Sequence, residues 1–230
     1  MTGNVAVLKF PGTNCDEETL RALRRHGLNA RIVWHRDFVW REYDAIVIPG
    51  GFSYGDHLRA GVIAARTRAV EQVVEAALNE VPVLGICNGF QVLVEAGLLP
   101  GALIQNEHGR FTCKWVRTRV RNPKGPWLLL VSDKMVLDMP VAHAEGRYII
   151  DEQEYVKLVG ENPPLILYED GWNPNGSMYS IAGVASGNGA ILGLMPHPER
   201  AVEPELTPRG FNPGGKLIFE SIYFALRNGW

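Results

Sequence analysis

Short apolar runs alternate with amphipathic segments along the first half of the chain. Continuous apolar runs predict buried strands, and apolar residues three or four apart predict helices. The predicted strands cover 5–10, 31–34, 45–48 and 83–86, and the predicted helices cover 14–26, 60–79 and 88–96. Strands that alternate with helices in this way are typical of a parallel sheet that helices cover on both faces. We therefore predict an α/β fold with an open, mostly parallel central sheet flanked by helices.

The second half of the chain has a different pattern. Between 111 and 121, valine and threonine alternate with arginine, which predicts a strand with one exposed face. Further strands are predicted at 135–141, 165–168, 181–185 and 190–194, and an amphipathic helix at 217–227 closes the chain. No linker composition and no internal repeat divides the sequence. We therefore predict a single domain, 1–230, in which the second half adds an antiparallel segment.

Composition and charge exclude several classes of function. Lys and Arg number 23 against 25 Asp and Glu, and the net charge of −2 argues against a nucleic-acid partner. The longest aliphatic run, 128–131, is too short to span a membrane, and no basic segment precedes the first apolar run as in a secretory signal. Three cysteines without a CxxC pair favour a reducing compartment over a disulfide framework. We expect a cytoplasmic protein without membrane contact.

A cysteine lies between a predicted buried strand and a predicted helix, in the sequence Gly85-Ile86-Cys87-Asn88-Gly89. A side chain on such a tight strand-to-helix turn is held above the sheet edge, and the flanking glycines leave room for the turn. The positive end of the helix lies where a thiolate would form, and the N–H of Asn88 could face a developing oxyanion. We interpret Cys87 as a nucleophile. A small buried cysteine without a chemical role is the alternative that this motif alone leaves open.

A candidate base lies in the sequence Met195-Pro196-His197-Pro198-Glu199. Prolines on both sides of His197 favour an extended chain, in which residues two apart point to the same side. Glu199 could then hold one ring nitrogen of His197 while the other faces the nucleophile, as thiol chemistry requires. Without the cysteine motif, a proline-rich surface turn with an incidental histidine would be the simpler interpretation.

Two glycines, Gly50 and Gly51, follow the third predicted strand. Open α/β sheets bind ligands at the carboxyl ends of their parallel strands, and Gly51 could offer its N–H to an oxyanion there. A simple turn would also explain the pair. Gln91 lies one helical turn after Cys87, so its amide could reach a substrate in the same pocket. The block 143–148 concentrates His, Glu and Arg beside a glycine, and the sequence assigns it no role.

The remaining cysteines and histidines give weaker signals. Cys15 and Cys113 lie in no comparable motif, so we expect both to lack a chemical role and Cys113 to pack within its strand. The histidines show no metal-ligand spacing, and no Walker-type phosphate loop is present. We therefore expect neither a metal nor a cofactor.

The cysteine motif and His197-Pro198-Glu199 together resemble the class I glutamine amidotransferases, a family with a flavodoxin-like fold and a Cys-His-Glu triad. Five blocks distributed along the whole chain are similar to the glutaminase subunits of phosphoribosylformylglycinamidine synthase. These blocks are 9–16, 50–56, 85–91, 143–148 and 195–200. The resemblance implies that Cys87, His197 and Glu199 are catalytic. It also implies a set that binds glutamine and its oxyanion, namely Gly50, Gly51, Asn88 and Gln91.

The same resemblance implies a reaction and partners. Cys87 would attack the side-chain amide of L-glutamine, form a glutamyl thioester and release ammonia. An ATP-dependent synthetase subunit, accompanied by a small bridging subunit, would use the ammonia to convert formylglycinamide ribonucleotide to formylglycinamidine ribonucleotide in purine biosynthesis. Two alternatives remain open, namely a glutaminase for another acceptor such as pyridoxal phosphate synthesis, and a non-catalytic binding subunit of the same fold.

Overall fold

The computed structural model describes residues 3–230, so Met1 and Thr2 of the predicted domain lie outside the described residues. Eleven strands and five α-helices are present in this part of the chain. The strands are β1 Asn4–Lys9, β2 Asn29–Trp34, β3 Ala45–Ile48, β4 Val83–Ile86, β5 Ala102–Ile104, β6 Thr112–Arg121, β7 Val136–His143, β8 Arg147–Ile149, β9 Leu165–Tyr168, β10 Ile181–Ala185 and β11 Ile191–Leu194. The helices are α1 Asp16–Arg25, α2 Arg68–Leu78, α3 Asn88–Glu95, α4 Glu152–Glu161 and α5 Lys216–Asn228.

Nine of the strands form one sheet in the order β2-β1-β3-β4-β11-β10-β9-β6-β7. The strands from β2 to β11 pair in parallel, in the 2-1-3-4-5 order of flavodoxin-like folds. The strands beyond β11 pair antiparallel and extend the same sheet, while β5 and β8 form a separate antiparallel pair. The predicted α/β architecture with its additional antiparallel segment is therefore confirmed.

The central strands are buried along almost their whole length. Residues 5–8, 45–48 and 83–86 all lie in the buried centre of the fold. Helices on both faces exclude water from these strands, which is why their sequences are continuous apolar runs rather than alternating ones. Within residues 3–230, no helix combines the length and the apolar composition that crossing a membrane requires.

The strand register brings four loops to one edge of the sheet. Ile48 at the end of β3 pairs with Gly85, and Leu194 at the end of β11 pairs with Ile86. Because β1, β3, β4 and β11 are parallel, the segments that follow them leave the sheet at the same edge. These segments carry the candidate chemistry, and β11 returns from far along the chain to lie beside β4.

The helix predicted at 60–79 is wrong in its first half. Gly61 has a φ of +79°, Ala64–Arg66 forms only a short 3-10 turn, and Thr67 is extended, so that α2 begins at Arg68. Amphipathic spacing does not reveal these interruptions, because it records which residues are apolar and not the backbone conformation between them. The sequence interpretation also omits β5, β8 and α4, of which the first two have three residues each and α4 buries only Leu158.

The start of α1 also differs from the prediction. Neither Thr13 nor Asn14 caps the helix, since Cys15 occupies the position before its first residue and no side chain caps it. The hydroxyl of Thr13 instead accepts a hydrogen bond from the N–H of Phe10. The loop between β1 and α1 is therefore longer than predicted, and its last residue is a cysteine.

We predict that Gly89→Ala destabilises the fold, because an added Cβ would lie 1.9 Å from the carbonyl oxygen of Ile48. The clash is with backbone at the centre of the sheet, so we expect a loss of about 1–3 kcal/mol in the free energy of unfolding. Gly160→Ala is the matched control in α4, where an added Cβ meets nothing within 4 Å. It should gain about 0.5 kcal/mol from helix propensity. Urea unfolding measures both, and equal effects of the two variants would contradict this packing.

Candidate active site

Cys87 occupies the turn between β4 and α3 in a strained backbone conformation, with φ +51° and ψ −105°. Such values are rare outside glycine and persist only where the surroundings impose them. Here the N–H of Cys87 is bonded to the carbonyl of Leu194 at 2.8 Å, and Sγ lies 3.7 Å from the carbonyl oxygen of Ala142. The predicted elbow is therefore present, and its cysteine contacts the backbone of both β11 and β7.

His197 and Glu199 are brought together as their spacing predicts. Nδ1 of His197 lies 2.6 Å from Oε1 of Glu199, and both side chains are buried. His197 itself is extended, but Pro198–Arg200 forms a 3-10 turn rather than a continued extended chain. The N–H of His197 is bonded to the carbonyl of Pro140 on β7 at 2.8 Å. The carboxylate thus fixes the ring through Nδ1 and leaves Nε2 for other partners.

The electrostatic surroundings of His197 favour its charged form. Burial alone would lower the pKa of His197, but Glu199 and the sulfur atom of Cys87 outweigh it and hold the pKa well above its usual range. The sulfur atom of Cys15 acts in the same direction. A cationic imidazole beside a thiol is the arrangement that stabilises a thiolate, which is the reactive form of cysteine.

Gly50 fills the space between the candidate nucleophile and the candidate base. A methyl group on Gly50 would lie 2.8 Å from Cε1 of His197 and 3.4 Å from Cβ of Cys87. Gly51 has a φ of +152°, and its Cβ would meet the backbone of the 12–14 loop at 2.8 Å, so only glycine fits. The carbonyl of Gly50 accepts the N–H of Cys15 at 3.1 Å. The loop after β1 therefore contacts the glycine turn and stabilises its conformation.

Cys15 lies in the site, contrary to the expectation that it lacks a chemical environment. Its Sγ lies 3.3 Å from a terminal guanidinium nitrogen of Arg200 and 3.3 Å from Oδ1 of Asn14. The sequence gives one signal for this, since Cys15 follows a parallel strand just as Gly50 and Cys87 do. The expectation for Cys113 is also wrong, because Cys113 is exposed rather than packed.

One group of side chains in the site has the spacing of metal ligands. Sγ of Cys15, a ring nitrogen of His197 and a carboxylate oxygen of Glu199 all lie within 4.8 Å of one another and are buried. Such a set could hold a transition metal ion. Because Nδ1 of His197 is already bonded to Glu199, we interpret the group as a hydrogen-bonding shell around the imidazole.

A network of amides forms one wall of the site. The side-chain oxygen of Asn88 accepts the N–H of Ser53 at 3.1 Å, and its Nδ2 donates to Oε1 of Gln91 at 2.8 Å. Nε2 of Gln91 in turn donates to the backbone carbonyl of Glu145 at 2.6 Å. Gln91 therefore ties α3 to the 143–148 block, whose place beside the site the sequence did not predict.

Two carboxylates, Asp56 and Glu145, lie near this wall. Nδ2 of Asn88 donates to Oδ1 of Asp56 at 3.1 Å, and Oε2 of Glu145 accepts the N–H of Ala60 at 3.3 Å. Burial, together with the negative charge of Glu145, raises the pKa of Asp56 to about 6 despite the hydrogen bond from Asn88. Asp56 thus titrates close to neutral pH.

Tyr168 is a buried residue near Cys87 that sequence reasoning missed. It belongs to the apolar strand β9, where a tyrosine is indistinguishable from any other core side chain. Burial raises the pKa of Tyr168, and the charge of Cys87 adds to the effect. The hydroxyl of Tyr168 therefore stays protonated.

The arrangement has the parts of an acyl-transfer site. A thiol on a strained turn, an imidazole of raised pKa beside it and a carboxylate that orients the imidazole are the components of nucleophilic catalysis. The glycine turn lies next to the thiol, where a carbonyl under attack would develop negative charge. The geometry is therefore suited to cleaving an amide or ester through a thioester.

Comparisons with known proteins agree on one family. Residues 2–216 match the family model described as the CobB/CobQ-like glutamine amidotransferase domain. A protein of Pyrobaculum aerophilum named phosphoribosylformylglycinamidine synthase subunit PurQ is 52% identical over 223 residues, which cover 97% of this chain and 99% of the relative. The protein of the same name from Pyrococcus furiosus is 53% identical over 199 residues, covering 85% and 88%.

A solved structure is similar over nearly the whole length as well. It is the structure of PurLQS from Thermotoga maritima, one chain of which superposes with a TM-score of 0.85 at 39% identity. The match covers 98% of this chain and 100% of the other.

We predict that Asp56→Asn stabilises the protein at pH 7.5 but not at pH 4. A carboxyl group whose pKa is raised by folding contributes stability below its unfolded pKa of 3.8 and loses it as the pH rises through about 6. Removing the charge should therefore raise the free energy of unfolding at pH 7.5 by about 1 kcal/mol, an amount reduced because Asp56 is partly solvated.

Urea unfolding at the two pH values measures this effect. Asp170→Asn is the matched control, since Asp170 is exposed. An equal gain for Asp56→Asn at both pH values would contradict the assignment.

Proposed function

The chain belongs to the CobB/CobQ-like glutamine amidotransferase family and, within it, to the PurQ subunits of phosphoribosylformylglycinamidine synthase, and from this premise we propose which residues carry the reaction. It is a glutaminase that supplies ammonia for the conversion of formylglycinamide ribonucleotide to formylglycinamidine ribonucleotide in purine biosynthesis. The observation that carries the residue assignment is the buried 2.6 Å contact between His197 and Glu199, next to the thiol of Cys87.

Cys87 is the nucleophile of the first half-reaction. Its sulfur attacks the side-chain carbonyl carbon of L-glutamine, and the C–N bond of the amide breaks as the glutamyl thioester forms. The N–H groups of Gly51 and Asn88 stabilise the oxyanion of the tetrahedral intermediate. Two observations support this assignment, namely the strained elbow of Cys87 and the position of Asn88 as the first residue of α3, where an N–H precedes the helical hydrogen bonds.

His197 moves the proton in both half-reactions. It donates a proton to the nitrogen that leaves as ammonia, and it then accepts a proton from the water that hydrolyses the thioester. Glu199 holds Nδ1 of the ring, so that Nε2 is the nitrogen that exchanges protons, and it stabilises the imidazolium between the two steps. Nε2 is buried and without a hydrogen-bond partner among the described residues, which supports this role.

The glycine turn and the amide wall hold glutamine over the thiol. Gly50 has no side chain that would crowd Cys87 and His197, and Gly51 follows it with an N–H that we assign to the substrate oxyanion. Asn88 and Gln91 have their side-chain amides bonded to each other and to the neighbouring loops. We propose that these two side chains order the pocket wall and that their remaining donors and acceptors bind glutamine.

The ammonia passes to partners that carry out the ATP chemistry. We assign this chain an ATP-dependent synthetase subunit as partner, together with a small bridging subunit, in the cytoplasm. The similar Thermotoga structure is one of PurLQS, a name that supports two further subunits beside the glutaminase. The curated relatives carry the PurQ name, which favours formylglycinamide ribonucleotide over pyridoxal phosphate synthesis as the destination of the ammonia. The close contact of His197 with Glu199 argues against a non-catalytic binding subunit.

We predict that Cys87→Ala abolishes glutamine-dependent synthesis by the assembled enzyme and leaves ammonia-dependent synthesis unchanged. Without the sulfur no thioester forms, so the glutamine-dependent rate should fall at least about 10⁴-fold. Cys113→Ala is the matched control, because its thiol is exposed. Product formation with each nitrogen source measures the effect. Equal loss of both activities would contradict the division of labour between glutaminase and synthetase.

We predict that Glu199→Gln lowers kcat for glutamine hydrolysis by about 10²–10⁴-fold, because the ring loses the group that orients and charges it. Glu199 raises the pKa of His197, so its loss lowers that pKa. The basic limb of the kcat/KM profile should therefore move to lower pH. Glu18→Gln is the control, since Glu18 contacts Arg200 and not the imidazole. An unchanged pH profile in Glu199→Gln would refute the role of this carboxylate.

A further inference from the structure

The side chain of Asn106 has a fixed orientation. Its Nδ2 donates to the backbone carbonyls of Arg110 and His143, each at 2.9 Å, and its Oδ1 accepts the N–H of Gly146 at 3.1 Å. Backbone carbonyls accept and backbone N–H groups donate, so exchanging the amide oxygen and nitrogen would break all three hydrogen bonds. The oxygen of Asn106 therefore faces Nδ1 of His143, which lies 3.0 Å away.

This contact determines the tautomer of His143. Because Asn106 presents an oxygen, Nδ1 must carry the hydrogen and donate it. Burial and the nearby charge of His197 lower the pKa of His143 to about 3, so the ring is neutral at neutral pH. With one hydrogen on the ring, Nε2 is an unprotonated acceptor.

Nε2 of His143 has no hydrogen-bond partner within residues 3–230, and the residue is 3% exposed. A buried acceptor without a donor costs free energy unless a ligand or water supplies the donor. The ring packs against Gly146 so closely that a Cβ there would lie 2.3 Å from Nδ1. His143 therefore presents a lone pair that can accept a hydrogen bond from an N–H or O–H group.

His143 ends the strand that runs along the reacting groups. On β7, the carbonyl oxygen of Ala142 lies 3.7 Å from Sγ of Cys87, and the carbonyl of Pro140 accepts the N–H of His197. The charge of His197 also acts on His143. The unpartnered acceptor therefore belongs to the strand that borders Cys87 and His197, close enough for the charge of His197 to act on it.

We propose that Nε2 of His143 accepts a hydrogen bond from the departing nitrogen of glutamine, first as the carboxamide N–H and then as ammonia. The inference rests on the proposed function, since it assumes that Cys87 and His197 cleave the amide. The C–S bond forms when the sulfur attacks, and when the tetrahedral intermediate collapses the C–N bond breaks and His197 supplies the proton that completes ammonia. His143 only accepts a hydrogen bond, and no proton passes between it and ammonia.

The neutral state of His143 has a chemical consequence. An imidazole that is unprotonated on Nε2 at neutral pH has no acidic proton to give to ammonia, so His143 itself does not convert ammonia to ammonium. The uncharged form is the nucleophile that an amination needs. His143 thus favours a leaving group that carries N–H over one that does not.

The test compares two substrates in the full chain assembled with its synthetase. L-glutamine has N–H groups on its leaving nitrogen, whereas L-glutamate γ-methyl ester has no N–H on its leaving oxygen. His143→Phe keeps a ring of similar size and removes the acceptor. We expect it to lower kcat/KM for glutamine about tenfold more than for the ester. His143→Gln, which can place an oxygen near the position of Nε2, should restore part of the loss for glutamine.

The outcomes separate this inference from the proposed function. An equal loss for both substrates, or no loss for glutamine, would overturn the role of His143. Hydrolysis of either substrate by Cys87→Ala would instead overturn the proposed site. If His143→Phe does not fold, ¹⁵N NMR of the wild-type ring decides the matter, because an unprotonated Nε2 at pH 7 is required and a protonated one refutes the inference.

Discussion

The pairing of β4 with β3 on one side and β11 on the other is the constraint on which the site depends. The ends of the three strands are aligned by the pairs Ile48 with Gly85 and Leu194 with Ile86. A slip of one residue would turn every side chain of the moved strand to the opposite face. The hydrogen bond from Cys87 to Leu194 fixes this alignment at the point where the chain leaves the sheet. The thiol of Cys87, the glycine turn and the imidazole of His197 therefore lie close together, because the register aligns the ends of the strands that precede them.

The local pattern was sufficient to predict the framework but not the backbone conformation of every segment within it. The strands at 45–48, 83–86 and 165–168 are continuous apolar runs, and the structure has them at the same bounds. The helix predicted at 60–79 failed because Gly61 and Thr67 interrupt it with backbone conformations that side-chain spacing does not record.

Some contacts of the site could likewise be predicted from sequence spacing, whereas others depend on the fold. The proximity of His197 and Glu199 follows from a spacing of two residues, so the sequence could predict it. Cys15 and Arg200 lie far apart in sequence, so only the fold brings them into contact. The orientation of His143 depends on Asn106, which no motif marks. The catalytic and binding roles of the individual residues remain predictions that the proposed experiments address.

The site departs from the rules that stabilise the remainder of the fold. Cys87 has a strained backbone, and buried polar atoms of His143, His197 and Glu199 lack partners among the described residues. Each of these features costs stability, and such costs concentrate where a protein must bind or react. The fully buried central strands provide the apolar core that offsets them. The buried strands therefore stabilise the fold, and the reactive groups lie at the carboxyl ends of the parallel strands.

The central place of β11 has a consequence for the order in which the chain is made. This strand lies between β4 and β10, although β4 leaves the ribosome long before it. Contacts between segments so far apart in sequence form late, because a long loop must close before they are gained. During synthesis, Cys87 therefore exists for a time without the histidine that follows β11. On the proposed assignment of Cys87 and His197, a nascent chain lacks the base for its nucleophile until β11 has entered the sheet.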